Sequence, residues 1–540
     1  MSHLSRRENV GSDRWISESL RPTRLVWETG VVLSPLGNDR PSTGASDAPT
    51  GSFPGLLLSH DGSPPGVVLD FGRELHGGVA FRVGTASPGG PVRVRIRFGE
   101  SVTEAMGQAL CQQVCSVEPG RTYELGATGF RFVRFDLLDD ATFARLDHVR
   151  ALLVCRDLEF KGAFRCSDER LNRIWQAGAD TVRLCLQSHL WDGVKRDRQV
   201  WVADMHPAVM AVNAVFGELA VVRESLDLVR DETPPTQWMN GISAYSIWWI
   251  LIHRGWYLHH GDRAFLERQR GYLRGLLDHL TSRIDGEGRE CLDGWRFLDW
   301  GSCGDDAAIH AGMQALLVLG LEAGAELFED MGEPDRAMGC REAVARLRRH
   351  VPAGVTGKHA LALLVLAGFA DARVSNREIL GRDPCRGLTP FSGYSVLQAR
   401  AQAGDIEGCL ELLRRYWGAM LDLGATTFWE DFDPAWAEGA VSIDRLVPEG
   451  YRDVHADGGR FFHQAGPQPL PCLVGRADRV AERQRPGDHA GRNRVSGDSG
   501  RATPGRSGLG RGKLSHAPGR GPGATRERCR REGREPGTGD

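Results

Sequence analysis

After Phe462 the chain has no aromatic residue at all. Residues 463–540 are Gly, Arg and Pro with a few Ser. Such a segment cannot bury enough apolar area to offset its chain entropy, which predicts disorder. Long apolar runs are also missing. None approaches the ~20 residues that cross a bilayer. The start, Met1-Ser-His-Leu-Ser-Arg-Arg-Glu8, has no apolar signal core, so a cytoplasmic protein with no membrane partner is expected. Net charge is nearly absent, with 67 Lys+Arg against 70 Asp+Glu. No global field therefore points to nucleic acid. The 12 cysteines contain no C-x-x-C pair. That excludes a zinc knuckle and argues for reduced, structural thiols. His253, His259 and His260 share a helical spacing without a carboxylate pattern, so neither a metal nor another cofactor is expected.

What is present is enough for several domains. At 540 residues, two to four are expected. Residues 1–65 read as irregular, with Gly, Pro and Ser clusters. From 66 to 158 the chain is strand-like: Val67–Phe71, Gly78–Val83, Val92–Phe98 and Phe130–Leu137 are short runs rich in Val and Phe. Val92-Arg-Val-Arg-Ile-Arg-Phe98 alternates strictly, which puts its apolar side on a core and its arginines outside. This predicts an antiparallel β-sandwich. After Phe164 the period becomes helical. Ser167-Asp-Glu-Arg170 has a capping-box spacing and opens a helix to about His189. Further helices are predicted at about 205–229, 243–259, 263–283, 306–331, 334–349, 358–369, 394–400 and 405–423. Even succession with Gly/Pro/Asp turns suggests paired helices closing into an α/α toroid over 160–462.

Loops at one end of that toroid carry the polar aromatic groups. The first, Trp191-Asp-Gly-Val-Lys-Arg-Asp-Arg-Gln-Val-Trp-Val-Ala-Asp204, holds Asp192, Asp197, Asp204, Arg196, Arg198, Trp191 and Trp201. The second, 231–245, holds Asp231, Glu232, Gln237, Trp238 and Tyr245. The third, 293–305, includes Asp299 and Trp300. The fourth, 424–436, includes Trp429 and Glu430. Indole packs on the apolar face of a pyranose, and carboxylates bind hydroxyls or do acid/base work. The plain alternative for any one loop is an Asp–Arg network. Four such loops fit the rim of one carbohydrate pocket. Trp248 and Trp249, inside a helix, read as core.

Asp192-x-x-x-Arg196-Asp197-x-x-x-Trp201-x-x-Asp204 resembles the acidic signature of bacterial α-L-rhamnosidases, glycoside hydrolase family seventy-eight. Gly424-Ala-Thr-Thr-x-Trp-Glu430 resembles that family's second signature. Residues 160–462 resemble its (α/α)6 barrel. Val68-Leu-Asp-Phe-Gly-Arg73 and Arg95-Ile-Arg-Phe-Gly-Glu100 resemble its N-terminal β-sandwich. The resemblance implies a multidomain β + α chain that releases terminal α-L-rhamnose from a glycoside or oligosaccharide by inversion, without a cofactor. By position it implies Asp197 as general acid and Glu430 as general base. Asp192 and Asp204 then bind sugar hydroxyls, and Arg196, Trp201 and Trp429 shape the pocket; Trp238, Asp299 and Trp300 are read as substrate-binding from the composition of their loops. Two departures stand out: the family usually has Glu where this chain has Asp197, and Gly where it has Ala203. The alternatives are an impaired enzyme, a non-catalytic or degenerate sugar-binding relative, and an (α/α)6-barrel hydrolase for another deoxy- or uronic sugar.

The tail is the larger departure. In the family the barrel closes with a segment like Ser-Leu-Cys-His-x-Trp, then Gly-Pro-Thr-x-Trp-Leu. Read one base later, codons for Gln468-Pro-Leu-Pro-Cys-Leu473 can encode Ser-Leu-Cys-His-Ala-Trp. Codons for Arg476-Ala-Asp-Arg-Val-Ala-Glu482 can encode Gly-Pro-Thr-Ala-Trp-Leu-Ser. Residues 463–540 therefore read as a frameshifted translation, which leaves the barrel incomplete at its C-terminal end.

Overall fold

The computed structural model describes residues 15–34, 55–59, 64–87, 89–107, 111–140 and 143–454. The chain divides into Met1–Gly466 and Pro467–Asp540. All the described residues lie in the first unit, so the expectations for 463–540 fall outside them.

The N-terminal domain is an antiparallel sheet. Its strands are β1 (Trp15–Leu20), β2 (Arg24–Thr29), β3 (Val31–Ser34), β4 (Gly55–Ser59), β5 (Gly66–Ser87), β6 (Val92–Gly99), β7 (Cys111–Val117), β8 (Thr122–Leu137) and β9 (Phe143–Arg156). The order is β3-β4-β9-β5-β8-β6-β7, with β1 on β9 and β2 on β5. The short helix α1 (Val102–Met106) follows β6. Two runs that read as separate strands, Val67–Phe71 and Gly78–Val83, are halves of β5, bent where its register on β8 shifts between Asp70 and Leu75. At Gly77 a Cβ would lie 1.8 Å from the Leu152 carbonyl oxygen, so only glycine lets β5 and β9 pair there.

Within the region read as irregular, residues 15–34 and 55–59 are a correction, because β1 to β4 add four strands to the sheet, and the rest of it, residues 64 and 65 apart, lies outside the described residues. Trp15-Ile-Ser-Glu-Ser-Leu20 is half-buried to exposed, so it lacks the alternation that marks a two-faced strand. The alternation in β6 places Val92, Val94, Ile96 and Phe98 in the core. Its arginines are a second correction. Arg93 is exposed and pairs with Asp139, but Arg95, Arg97 and Arg134 converge on the fully buried Asp136. A buried carboxylate needs such partners.

The helices are α2 (Glu169–Cys185), α3 (Val202–Val215), α4 (Ala220–Glu232), α5 (Ser243–His260), α6 (Arg263–Thr281), α7 (Asp306–Asp330), α8 (Pro334–Leu347), α9 (Lys358–Leu366), α10 (Ala372–Ser375), α11 (Pro390–Gln402) and α12 (Ile406–Asp422). Asp168, rather than Ser167, caps α2, accepting from Arg170 N and Leu171 N. The helix expected over 205–229 is two, broken at Gly217, whose φ is 76°. Helices α3, α5, α7 and α9 are apolar nearly all round and pack in succession, followed by α11, which returns to α3. Amphipathic α2, α4, α6, α8 and α12 cover them from outside. Among the described residues α12 has no inner partner of its own. Helix α7 is long and apolar enough to cross a membrane, yet most of it is packed among the other helices. The described cysteines are free thiols.

Candidate active site

The first loop leaves α2 and closes on itself. Asp192 N donates to the Gln199 carbonyl at 3.0 Å, and Gln199 N donates to Asp192 Oδ1 at 2.9 Å. At its tip Asp197 and Arg198 are both left-handed, with φ of 53° and 52°. That conformation costs a side chain about 1–2 kcal/mol, and Asp bears it better than Glu because its short carboxylate can hydrogen-bond locally. The shorter acid at 197 thus suits the backbone that carries it.

Helix α3 starts at Val202 without a cap from Trp201. Asn240, in the second loop, replaces that cap. Its Oδ1 accepts from Val202 N at 3.2 Å and its Nδ2 donates to the Val200 carbonyl at 3.1 Å. This fixes Asp204 in the first turn, where the helix dipole favours a negative charge.

The fourth loop leaves α12 through Gly424, whose φ is 91°. Phe428 N donates to Thr181 Oγ1 at 2.9 Å, and Trp429 stands 5.5 Å from the Phe432 ring. Glu430 then meets the first loop, with Arg196 Nη2 2.8 Å from its Oε2. Two stretches 234 residues apart are joined there, and both side chains remain about half exposed.

The charges show which groups act on one another. Burial raises the pKa of Asp192 to about 7, and Asp197 and Glu430 raise it against the hydrogen bond from Gln199. Burial also raises Asp204 well above the usual range, with Asp192, Glu430 and Asp197 adding to it. Burial, followed by Asp204, Asp192 and Glu430, raises Tyr245 in the same way. Asp431, beside Glu430, is pushed up to about 6, mainly by burial. So many close carboxylates cannot all ionise together near neutrality, and the cluster retains a proton.

This has a sign in stability. An acid whose pKa rises on folding holds a proton that the unfolded chain has released. Asp192 therefore favours the folded state less and less as pH climbs from about 4 to about 7. Asp192→Asn removes this loss while keeping an oxygen to accept from Gln199. The Tm of the variant minus that of the wild type should grow between pH ~5 and ~8. A constant difference across that range would refute the assignment.

The other predicted residues divide. Trp201 packs edge-on against Tyr245, with centroids 6.2 Å apart, at the acid cluster. Trp238 is engaged by the neighbouring loop: its Nε1 donates to Asp293 Oδ1 at 2.8 Å and its ring lies 4.7 Å from that of His279. Asp299 is buried with both oxygens bonded, Oδ1 by Ser302 N and Oδ2 by His359 Nδ1, each at 2.8 Å. Burial opposes its charge, but His359 and Ser302 outweigh burial and lower its pKa. Trp300 stacks edge-on with Phe297 at 4.9 Å. Trp248 and Trp249 are core, as their helical position predicted. Sequence reasoning missed Tyr245 as a site residue, and it missed His359, the partner of Asp299. Tyr245 was visible in its loop, while His359 is brought to Asp299 only by packing. Among the described residues no group of three or more His, Cys, Asp or Glu could hold a metal ion.

Residues 159–318 match the model of the bacterial α-L-rhamnosidase six-hairpin glycosidase domain. No curated protein sequence matches the chain. Among solved structures, the rhamnosidase from Klebsiella oxytoca with rhamnose bound is 20% identical, with a TM-score of 0.65 over 84% of this chain and 96% of that one. The family-78 rhamnosidase of Bacillus sp. GL1 is 23% identical, with a TM-score of 0.62 over 75% of this chain and 46% of its own. The Streptomyces avermitilis α-L-rhamnosidase complexed with L-rhamnose is 17% identical, with a TM-score of 0.57 over 73% and 41%. The chain thus spans less than half of the Bacillus and Streptomyces proteins and nearly all of the Klebsiella one. Residues 159–318 thus resemble a six-hairpin glycosidase domain, and the fold, an antiparallel β-domain followed by a helical domain, resembles that of these solved structures.

Proposed function

We propose that the chain is a glycoside hydrolase that releases terminal α-L-rhamnose by inversion. The observation that carries this reading is the meeting of Arg196 and Glu430 beside Asp192, Asp197 and Asp204. An inverting glycosidase needs a carboxylic acid on one side of the scissile bond and a carboxylate on the other, with room for water. Asp197 protonates the glycosidic oxygen as the bond to the anomeric carbon breaks. Glu430 takes a proton from water as its oxygen bonds to the opposite face of that carbon. Asp192 and Asp204 face the sugar hydroxyls. Trp201 and Trp429 give the ring an apolar wall. Asp299 has both oxygens in use, so it acts by holding His359 rather than by binding sugar directly.

One observation favours a second reading of the acid. A general acid must hold its proton near working pH, and Asp192, raised to about 7, does so. A panel of aryl glycosides tests the function as a whole. Release from the α-L-rhamnoside, with little from the fucoside, mannoside or glucuronide, is the expected result. Preference for another sugar would transfer the site to that substrate. Rhamnose binding without turnover would make it a lectin-like relative.

A further inference from the structure

Both loops that carry the paired carboxylates rest on the β-domain. In the first, Lys195 is buried, and its Nζ lies 2.7 Å from Glu104 Oε1 and 3.0 Å from the Phe98 carbonyl oxygen. The other oxygen of Glu104 accepts from Glu100 N at 2.8 Å, and Ser101 Oγ accepts from Glu104 N at 3.1 Å. On either side of Lys195, Gly129 N donates to the Val194 carbonyl at 3.0 Å and Arg198 Nη1 to the Ala127 carbonyl at 2.7 Å. The fourth loop is held by β8 as well, and by β5. Arg131 Nη1 donates to the Gly424 carbonyl at 2.9 Å, and Glu74 N donates to Thr426 Oγ1 at 2.8 Å. Val102 N donates to the Ile443 carbonyl at 2.8 Å.

We propose that the β-domain is a working part of the active site, and that Lys195 is the positioning residue that fixes the acid-bearing loop so that its neighbour Arg196 reaches Glu430. This rests on the rhamnosidase reading above. Lys195 is paired with Glu104, and the charges of Glu100 and Glu74 also act on its ammonium. Burial opposes its charge, but these carboxylates outweigh burial and raise its pKa. Glu74 and Glu100 are themselves raised, chiefly by burial. The charges of Arg196 and Glu430 also act on Glu100. An apolar side chain of similar length would fill the same space without desolvating a charge. What the ammonium adds is direction: it satisfies one carboxylate and one carbonyl in a single geometry. The residue after Arg196 is the left-handed Asp197, so a small rotation at 195 is carried to the acid.

The test uses the full chain with Lys195→Met and Lys195→Arg. Aryl rhamnoside kinetics and amide hydrogen exchange are measured on each. Lys195→Met is expected to lower kcat ~10- to 100-fold with KM nearly unchanged, as a misplacement of about 1 Å does. Exchange should quicken across 191–200 and stay as it was in α5 to α8. Lys195→Arg should recover most of kcat. Unchanged exchange in 191–200, or quickened exchange with unchanged kcat, overturns the proposal. If Lys195→Met does not fold, Glu104→Gln is read in the same way, since it removes the ion pair and keeps the shape. If the unaltered chain turns over no rhamnoside, the rhamnosidase reading fails, and the exchange difference alone then decides whether Lys195 fixes the loop.

Discussion

Glu430→Gln should reduce rhamnose release by ~10²–10⁴-fold, the usual contribution of a general base. The substitution keeps the shape and one acceptor oxygen. It removes the group that can take a proton from water. Glu430 is largely exposed and its bond to Arg196 lies at the surface, so Tm should barely move. A second signature separates loss of the base from damage to the pocket. Glu430 helps to raise both Asp192 and Asp204. With its charge gone, both should titrate at lower pH. The loss in the variant should therefore come with a downward shift in the pH dependence of rhamnose binding. Undiminished turnover would remove Glu430 from the mechanism. Lost turnover with an unshifted titration would leave Glu430 outside the cluster.

The local code of the site was legible because its first half is contiguous. Asp192, Asp197 and Asp204 sit on one loop and the helix that follows, so their spacing alone proposes a site. Glu430 was visible as a Trp-paired carboxylate, but only the resemblance singled it out. Lys195 was unreadable, since its partners Glu104 and Phe98 belong to another domain and are brought to it by packing. Alternation misplaced Arg95 and Arg97 for a related reason. Pattern assigns a face, whereas the buried Asp136 across the sheet recruits charge to it. The toroid was read from helices in even succession, many apolar on a broad face, and that signal is strong because inner helices are apolar nearly all round. The N-terminal strands gave a weak signal because β1 has no buried face to mark it.

The acid can be told from its neighbours by the leaving group. An alkyl or sugar leaving oxygen needs a proton as the bond breaks, whereas a nitrophenolate hardly does. Loss of the general acid therefore costs most with poor leaving groups, whereas loss of a binding group costs about the same with both. Asp197→Asn is expected to lower kcat/KM by ~10²–10⁴-fold on an alkyl rhamnoside or rhamnosyl disaccharide, and far less on nitrophenyl rhamnoside. Asp192→Asn should lower both to a similar extent, mainly through KM. If the leaving-group dependence follows Asp192 instead, the proton held at about pH 7 is the catalytic one and Asp197 serves the loop. Asp197→Glu adds a third constraint. One more methylene extends the reach of the carboxyl, but the residue must still adopt a φ of 53°, which Glu bears less well than Asp. The site is matched to its own backbone, so Asp197→Glu should lower both Tm and turnover. A gain in turnover would mean that reach, not backbone, limits this acid.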